Sequence, residues 1–232
     1  MSAESKTPPT SPKSHGLVEA SRSVRLTMLG IAYFWLVTGL ISPGLVRYCT
    51  GPVGLGGTQA ELLVAAVGLS VLLGGWTATR TSPGRVELGL VPLGAMGSGL
   101  FSILLFWSPG WSHPVGWTVV WLVWLGLFAG LFVGPLFALV AFRTPRDRVG
   151  HMIGLTGCVT VLAALLGGLA GYLAQVMGLS PNLVFLVVGI ITLGVTVYSC
   201  WLLPEFLLRF LFWLGTHTLY RVRVIGRENL PD

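Results

Sequence analysis

Charge is what this sequence has least of. Only 9% of its 232 residues are Asp, Glu, Lys or Arg, against about 25% in an ordinary soluble domain. Between Glu87 and Arg143 there is no formal charge at all, and the next gap runs from Val149 to Pro204. With 53% hydrophobic residues and a mean hydropathy of +0.81, such a composition excludes a water-solvated globule, a disordered chain and a disulfide-rich secreted module. Cysteine is scarce too: Cys49, Cys158 and Cys200 have no close partner in sequence and give neither a disulfide framework nor a metal motif. Catalytic signatures are missing as well. There is no G-x-S-x-G, Walker loop or HExxH, and His15, His113, His151 and His217 have no carboxylate or cysteine at relay spacing. No metal or cofactor is therefore expected. The fourteen basic residues form short clusters at the ends of apolar runs rather than a stripe with interleaved aromatics, so nucleic acid is not an expected partner.

Long apolar runs and 32 glycines are what is present. A helix needs roughly 20 predominantly apolar residues to cross about 30 Å of hydrocarbon, and six runs qualify, near 26–46, 62–79, 88–107, 117–142, 152–177 and 183–203. Two of the breaks carry turn residues: Ser108-Pro-Gly-Trp-Ser-His-Pro114 and Gly178-Leu-Ser-Pro-Asn182. The expected fold is an all-α membrane protein, a bundle of six transmembrane helices. Residues 1–24 read as a disordered cytoplasmic tail or linker, 25–204 as the six-span unit, and 205–232 as an interfacial helix with the start of a further, truncated domain. In that helix, Phe206–Tyr220, Pro204-Glu205 argues for a break after span six.

Lys and Arg concentrate in short cytoplasmic loops. With six spans, thirteen of the fourteen basic residues fall on one side, and Arg47 alone falls on the other. Both termini are thus expected in the cytoplasm of a multi-pass protein embedded in the lipid bilayer. Trp107, Trp111, Trp117 and Trp121 bracket the outer turn between spans three and four, as interfacial rings do. No span carries Asp, Glu, Lys or His in its middle, where an ion-coupling group would sit. Near the outer ends of spans one and two, Arg47 and Glu61 offer a substrate-binding pair for an anionic headgroup; the plainer alternative is a snorkelling Arg and a Glu near a helix N-terminus. Gly126, Gly130 and Gly134, then Gly167 and Gly171, give small residues at four-residue spacing, suited to close helix packing or sliding. Pro43 and the Gly134-Pro135 pair interrupt their helices and are candidate gating positions.

The loop after span two, Gly75-Trp-Thr-Ala-Thr-Arg80-Thr-Ser-Pro-Gly84-Arg85, resembles the basic, glycine-containing loop of major facilitator transporters. The stretch Gly84-Arg-Val-Glu87-Leu-Gly89-Leu-Val-Pro92-Leu-Gly94-Ala95 looks like lysophospholipid transporters of that superfamily. So does Gly126-Leu-Phe-Ala-Gly130-Leu-Phe-Val-Gly134-Pro-Leu136 followed by Arg143-Thr-Pro-Arg146-Asp-Arg148. Members of that family often carry an Asn and a Gln there; this chain has Phe137 and Val140 or Ala141. Tyr220-Arg-Val-Arg-Val-Ile-Gly226-Arg-Glu-Asn-Leu-Pro231 resembles the lead-in to a glycerolipid acyltransferase domain, and the chain ends before the catalytic His-x4-Asp motif. The resemblance implies the carboxy-terminal half of a major facilitator fold, moving lysophospholipid across a bacterial inner membrane for re-acylation by a fused acyltransferase. It also implies a partner, either the amino-terminal half or a second copy. Two other readings stay open: a membrane anchor for the acyltransferase, and a six-span homo-oligomer with its own pathway.

Overall fold

A computed structural model describes residues 12–80, 89–144 and 149–202. Six α-helices account for nearly all of them: α1 (Pro12–Thr50), α2 (Gly57–Arg80), α3 (Leu90–Trp107), α4 (Pro114–Arg143), α5 (Val149–Val176) and α6 (Pro181–Leu202). A single 3-10 turn, Ser108–Gly110, comes after α3, and no strand occurs among the described residues. Five helices contain stretches long and apolar enough to cross a membrane, and α6 adds an apolar run from Pro181 to Val197 within its 22 residues. At 1.5 Å per residue the shortest, α3 with 18 residues, spans about 27 Å and the 24 of α2 about 36 Å, bracketing the hydrocarbon thickness. The all-α membrane bundle expected from the sequence is the fold observed.

The helix backbone of α1 starts at Pro12, inside the stretch expected to be a polar tail. Proline suits the first helical position, where its missing N–H is not needed. Nothing from Lys13 to Arg25 breaks a helix except the tolerated Gly16, so polarity alone was a poor guide to where the helix begins. The apolar part of α1 starts only at Val24. The supposed interfacial helix and acyltransferase lead-in, residues 205–232, lie outside the described residues.

The turns obey their local sequence. After α5, Gly178 adopts φ +76° and closes a Schellman motif: Leu179 N–H donates to the Ala174 carbonyl at 3.0 Å and Gly178 N–H to that of Gln175 at 3.0 Å. Pro181 then opens α6 at a position where a missing N–H costs nothing. Between α1 and α2, Gly54 supplies the other left-handed residue, φ +79°, while Leu55 N–H caps the Cys49 carbonyl at 2.9 Å.

Lipid tails are as apolar as leucine, so helices in a membrane associate through close packing and hydrogen bonds rather than through burial of apolar area. The glycine rows do that here. Gly126, Gly130 and Gly134 of α4 lie against α2, where a Cβ on Gly130 would come within 2.7 Å of Gly75 N and 2.9 Å of Gly74 Cα. Gly167 and Gly171 of α5 lie against the α1 backbone at Leu36 and Leu40, and Gly39 of α1 returns the contact. The most extensive pairings are accordingly α1 with α5 and α2 with α4, followed by α3 with α4 and with α6; α1 meets α6 over a small area.

The end of the bundle carrying the α1–α2, α3–α4 and α5–α6 turns, the upper end here, is closed by a cluster that includes Leu45, Tyr48, Cys49, Leu63, Leu105, Leu122 and Phe185. The hydroxyls inside it are paired. Tyr48 donates to the Leu105 carbonyl at 2.6 Å, its hydroxyl meets Ser108 Oγ at 2.8 Å, and Ser108 Oγ meets Thr118 Oγ1 at 2.9 Å. Ser102 donates to the Phe185 carbonyl at 2.8 Å, tying α3 to α6. The lower end is closed more lightly, by Ile31, Leu136 and Val140 with Trp35, Val91 and Phe132 packed on them.

Candidate functional site: an uncharged cavity between two plugs

Between the two clusters lies a cavity of about 770 Å³. Its walls come from α1 between Tyr33 and Leu45, α2 between Val64 and Thr79, α4 between Leu122 and Phe137, and from three positions each of α3 and α6. Aliphatic and aromatic side chains dominate: Phe34, Trp35, Trp76, Phe132, Phe137 and Phe185 supply the rings. No Asp, Glu, Lys, Arg or His lines it among the described residues. The polar atoms are hydroxyls. Tyr33 of α1 meets Thr192 of α6 at 2.6 Å across the thin α1–α6 contact, while Thr38, Ser42, Ser98 and Ser102 stand along α1 and α3. Most of these bond a carbonyl of their own helix, as hydroxyls in hydrocarbon must when water is absent: Thr38 to Phe34 at 2.8 Å, Ser42 to Thr38 at 2.6 Å, Thr192 to Val188 at 2.7 Å.

Of the residues singled out from the sequence, Gly134 lines this cavity and Pro43 sits one residue beyond Ser42, on the exposed side of α1. Both prolines are inside helices and free the carbonyl four residues back, that of Gly39 for Pro43 and that of Leu131 for Pro135. Gly126, Gly130, Gly167 and Gly171 are at helix contacts outside the cavity. Arg47 occupies the last turn of α1 and Glu61 the early part of α2; both are exposed at the upper end, and no ion pair joins them. Glu61 is the fifth residue of α2, past its first turn, where the helix dipole has faded. At the lower end, Arg80 places its guanidinium 4.4 Å over the ring of Trp76, which itself borders the cavity. Arg143 ends α4; Gly84, Arg85, Glu87, Arg146 and Arg148 lie outside the described residues.

The cavity hydroxyls are what a sequence reading aimed at charges passes over. Tyr33, Thr38 and Ser42 on α1 and Thr192 on α6 look like ordinary span residues one at a time. Their signal is the four-residue repeat of hydroxyls, Thr38 with Ser42 and Thr192 with Thr196, which puts oxygens on one face of each helix. At the upper interface the tryptophans pack on one another: Trp111 meets Trp117 edge to face at 5.4 Å, and Trp117 stacks on Trp121 at 5.4 Å. Cys49 is the buried thiol and Cys158 faces outward from α5. No set of His, Cys, Asp or Glu able to hold a metal occurs among the described residues.

The curated proteins this chain resembles are membrane carriers. It is 27% identical over 202 residues to a "Multi-drug resistance efflux pump PmrA homolog" of Lactococcus lactis, a match covering 81% of this chain and 46% of that protein. It is 30% identical over 125 residues to a "Probable nitrate/nitrite transporter NarK2" of Mycobacterium tuberculosis, covering 54% of this chain and 28% of the relative. The same figures hold for the NarK2 of a second strain. The chain spans less than half the length of these relatives. No family model matches it, and no solved structure does. Weak similarity to transporters, together with a six-helix bundle of the size of half a carrier, is consistent with one half of a major facilitator fold.

Proposed function

We propose that this chain is half of a membrane carrier for an amphipathic, lipid-like molecule, with lysophospholipid as its substrate. The observation that carries the reading is the cavity: about 770 Å³, ringed by aliphatic and aromatic side chains, with hydroxyls and no charge. That volume lies in the upper part of the roughly 300–1,000 Å³ typical of sites for drug-sized molecules. It is far more than a nitrate ion needs, since a water molecule claims about 30 Å³ of liquid. A small anion would also require cationic partners or many free donors in a region of low dielectric, and the lining has no cationic side chain and hydroxyls already bonded to carbonyls. The multi-drug efflux relative fits this lining better than the nitrate/nitrite relative does. Preference for lysophospholipid within the amphiphile class comes from the resemblance of the span-three opening and the end of span four.

In this reading the upper end faces the periplasm, both chain ends face the cytosol of a bacterial inner membrane, and the cavity works against a complementary half or a second copy. Arg47 and Glu61 would then be the charges a headgroup meets first at the outer mouth. The test is binding and movement. In lipid nanodiscs, a lysophosphatidylethanolamine with a brominated acyl chain should quench tryptophan fluorescence saturably through Trp35 and Trp76, and excess nitrate should leave the quenching unchanged. In vesicles carrying the chain with its complementary half, labelled lysophospholipid should move inward. Failure of the brominated lipid to quench saturably, or its displacement by nitrate, would refute the proposal.

A further inference from the structure

Resting on the amphiphile-carrier reading, we infer that the cavity recognises the hydrogen-bond-donating head of an uncharged or zwitterionic amphiphile, and that Tyr33 Oη and Thr192 Oγ1 are the atoms that accept from it.

The hydroxyl protons decide this. A serine, threonine or tyrosine hydroxyl has one hydrogen to give and two lone pairs to receive with. Around the cavity the hydrogens are already committed. Thr38 gives its own to the Phe34 carbonyl, Ser42 to Thr38, Thr79 to Trp76, Ser98 to Ala95 and Ser102 to Phe185, all at 2.6 to 3.0 Å. Thr192 gives its hydrogen to the Val188 carbonyl at 2.7 Å. The 2.6 Å contact between Tyr33 and Thr192 must therefore be filled by the tyrosine hydrogen, the only arrangement that makes both bonds. What the hydroxyls keep is lone pairs. Two indoles hold unspent donors: Trp35 Nε1 is enclosed with no acceptor in reach, and Trp76, half exposed, stands at the lower border beneath Arg80, away from the Tyr33–Thr192 pair on α1 and α6. The hydroxyl lining thus accepts and does not give.

Such a lining sorts ligands by the sign of their hydrogen-bonding groups. A phosphate, sulfate or nitrate with no cation in its own headgroup finds no hydroxyl hydrogen to receive, and burying it unpaired is costly. A bare cation finds lone pairs and aromatic faces, Phe34, Phe132 and Phe185 among them, but no carboxylate to balance its charge, so net charge of either sign is disfavoured. A hydroxyl, an amide N–H, or an ammonium balanced within its own headgroup meets neither objection. Tyr33 and Thr192 are the favoured acceptors because they bridge two helices where the bundle is thin, whereas Thr38, Ser42, Thr79 and Ser98 lie against the backbone of their own helix and Ser102 is buried between α3 and α6.

The test uses a pair of probes differing in one hydrogen-bond donor: ω-bromododecanol, which can donate, and its methyl ether, which cannot. Both are titrated into the full chain in nanodiscs, and the saturable part of tryptophan quenching gives their affinities. The alcohol should bind about three- to tenfold more tightly than the ether, the size of one net hydrogen bond. Tyr33→Phe, which deletes the accepting Oη and leaves only Thr192 Oγ1 to accept, should change the alcohol-to-ether ratio without abolishing the preference for the alcohol. Thr192→Val leaves the tyrosine hydrogen free for either probe to accept, so the ether gains a partner and the preference for the alcohol should narrow. A variant that merely loosened the bundle would weaken both probes alike and leave their ratio unchanged. Equal affinities in the unaltered chain, or no change of preference in either variant, would overturn this inference while leaving an amphiphile carrier standing. Saturable binding of neither probe would remove both.

Discussion

A single methyl group on Gly130 should unsettle the bundle, because there is nowhere for it to go. A Cβ there would run into the carbonyl of Val71 and stand 2.7 Å from Gly75 N and 2.9 Å from Gly74 Cα, where ordinary contact begins at 3.4 Å. All three obstacles are backbone atoms of α2, which cannot swing aside as a side chain would. Relief requires α2 and α4 to separate, and the separation loosens Gly134 against Gly75 and Gly126 against Val67 as well. Overpacking of this kind costs about 1–3 kcal/mol, and in lipid no hydrophobic gain offsets the lost contact. Gly130→Ala should lower the temperature at which the purified protein loses its monodisperse peak on size exclusion by several degrees. Gly157→Ala is the control, since a Cβ on that exposed α5 glycine meets nothing within 4 Å, and it should match the parent. Equal melting of parent and Gly130→Ala, or an equal loss in Gly157→Ala, would refute the claim that the glycine row holds α2 to α4.

Removing the Tyr48 hydroxyl leaves the Leu105 carbonyl and Ser108 short of a partner inside the upper plug; Tyr48→Phe should cost about 0.6–2 kcal/mol, the range for hydrogen bonds between membrane helices, read as a lower midpoint in the same melting assay. Ser102→Ala cuts the tie from α3 to the Phe185 carbonyl and should lower the midpoint by a similar or smaller amount, with cavity binding of the alcohol probe kept. With the native cysteines replaced, Arg47→Cys should react with a membrane-impermeant thiol reagent in intact cells, and Arg80→Cys only after permeabilisation; the reverse pattern would invert the proposed orientation. Arg47→Gln and Glu61→Gln, alone or together, should leave the melting midpoint unchanged, because the exposed pair forms no salt bridge; any loss in lysophospholipid binding would then be a contribution at the mouth.

Helix number and order were legible from the sequence because the constraint that produces them is crude. A chain crossing hydrocarbon must hide every backbone polar group in a helix about 20 residues long and keep charge at the ends, so gaps between charges mark the helices almost directly. The turn at Gly178 and Pro181 could be read for an equally local reason: a left-handed glycine ends one helix and a proline begins the next. The start of α1 could not, since Lys13–Arg25 is polar yet compatible with a helix and nothing local decides between the two. Tyr48 was beyond reach as well, because its partners at Leu105 and Ser108 are nearly sixty residues away. The cavity hydroxyls stayed hidden because a threonine bonded to its own helix has the same sequence signature whether it faces lipid, a neighbour or a void. Charges in membranes announce a site; an uncharged site has to be found by shape.

The place of that site is set by how the glycines are distributed. Exchanging α1, α2 and α3 with α4, α5 and α6 turns the α1–α5 contact into the α4–α2 contact, and these are the two most extensive in the bundle. Each is made by glycines on both partners: Gly39 of α1 against Gly168, with Gly167 and Gly171 of α5 against Leu36 and Leu40, and Gly74 and Gly75 with Gly130 and Gly134. The same exchange should turn α3–α4 into α6–α1, and there the likeness breaks. α3 approaches α4 closely because Gly94 and Gly97 let Phe128 and Phe132 in, whereas α1 presents Tyr33, Phe34 and Val37 toward the cavity and touches α6 over little area. Large side chains on α1 hold α6 off while small ones draw α3 in. The resulting gap is the cavity, and the side-chain hydrogen bond across it, Tyr33 to Thr192, spans the contact that symmetry would have closed. Enlarging that gap requires breaking this hydrogen bond, whereas opening the bundle at α1–α5 or α2–α4 would mean prising apart backbones in direct contact; any widening to admit a ligand should therefore begin between α1 and α6.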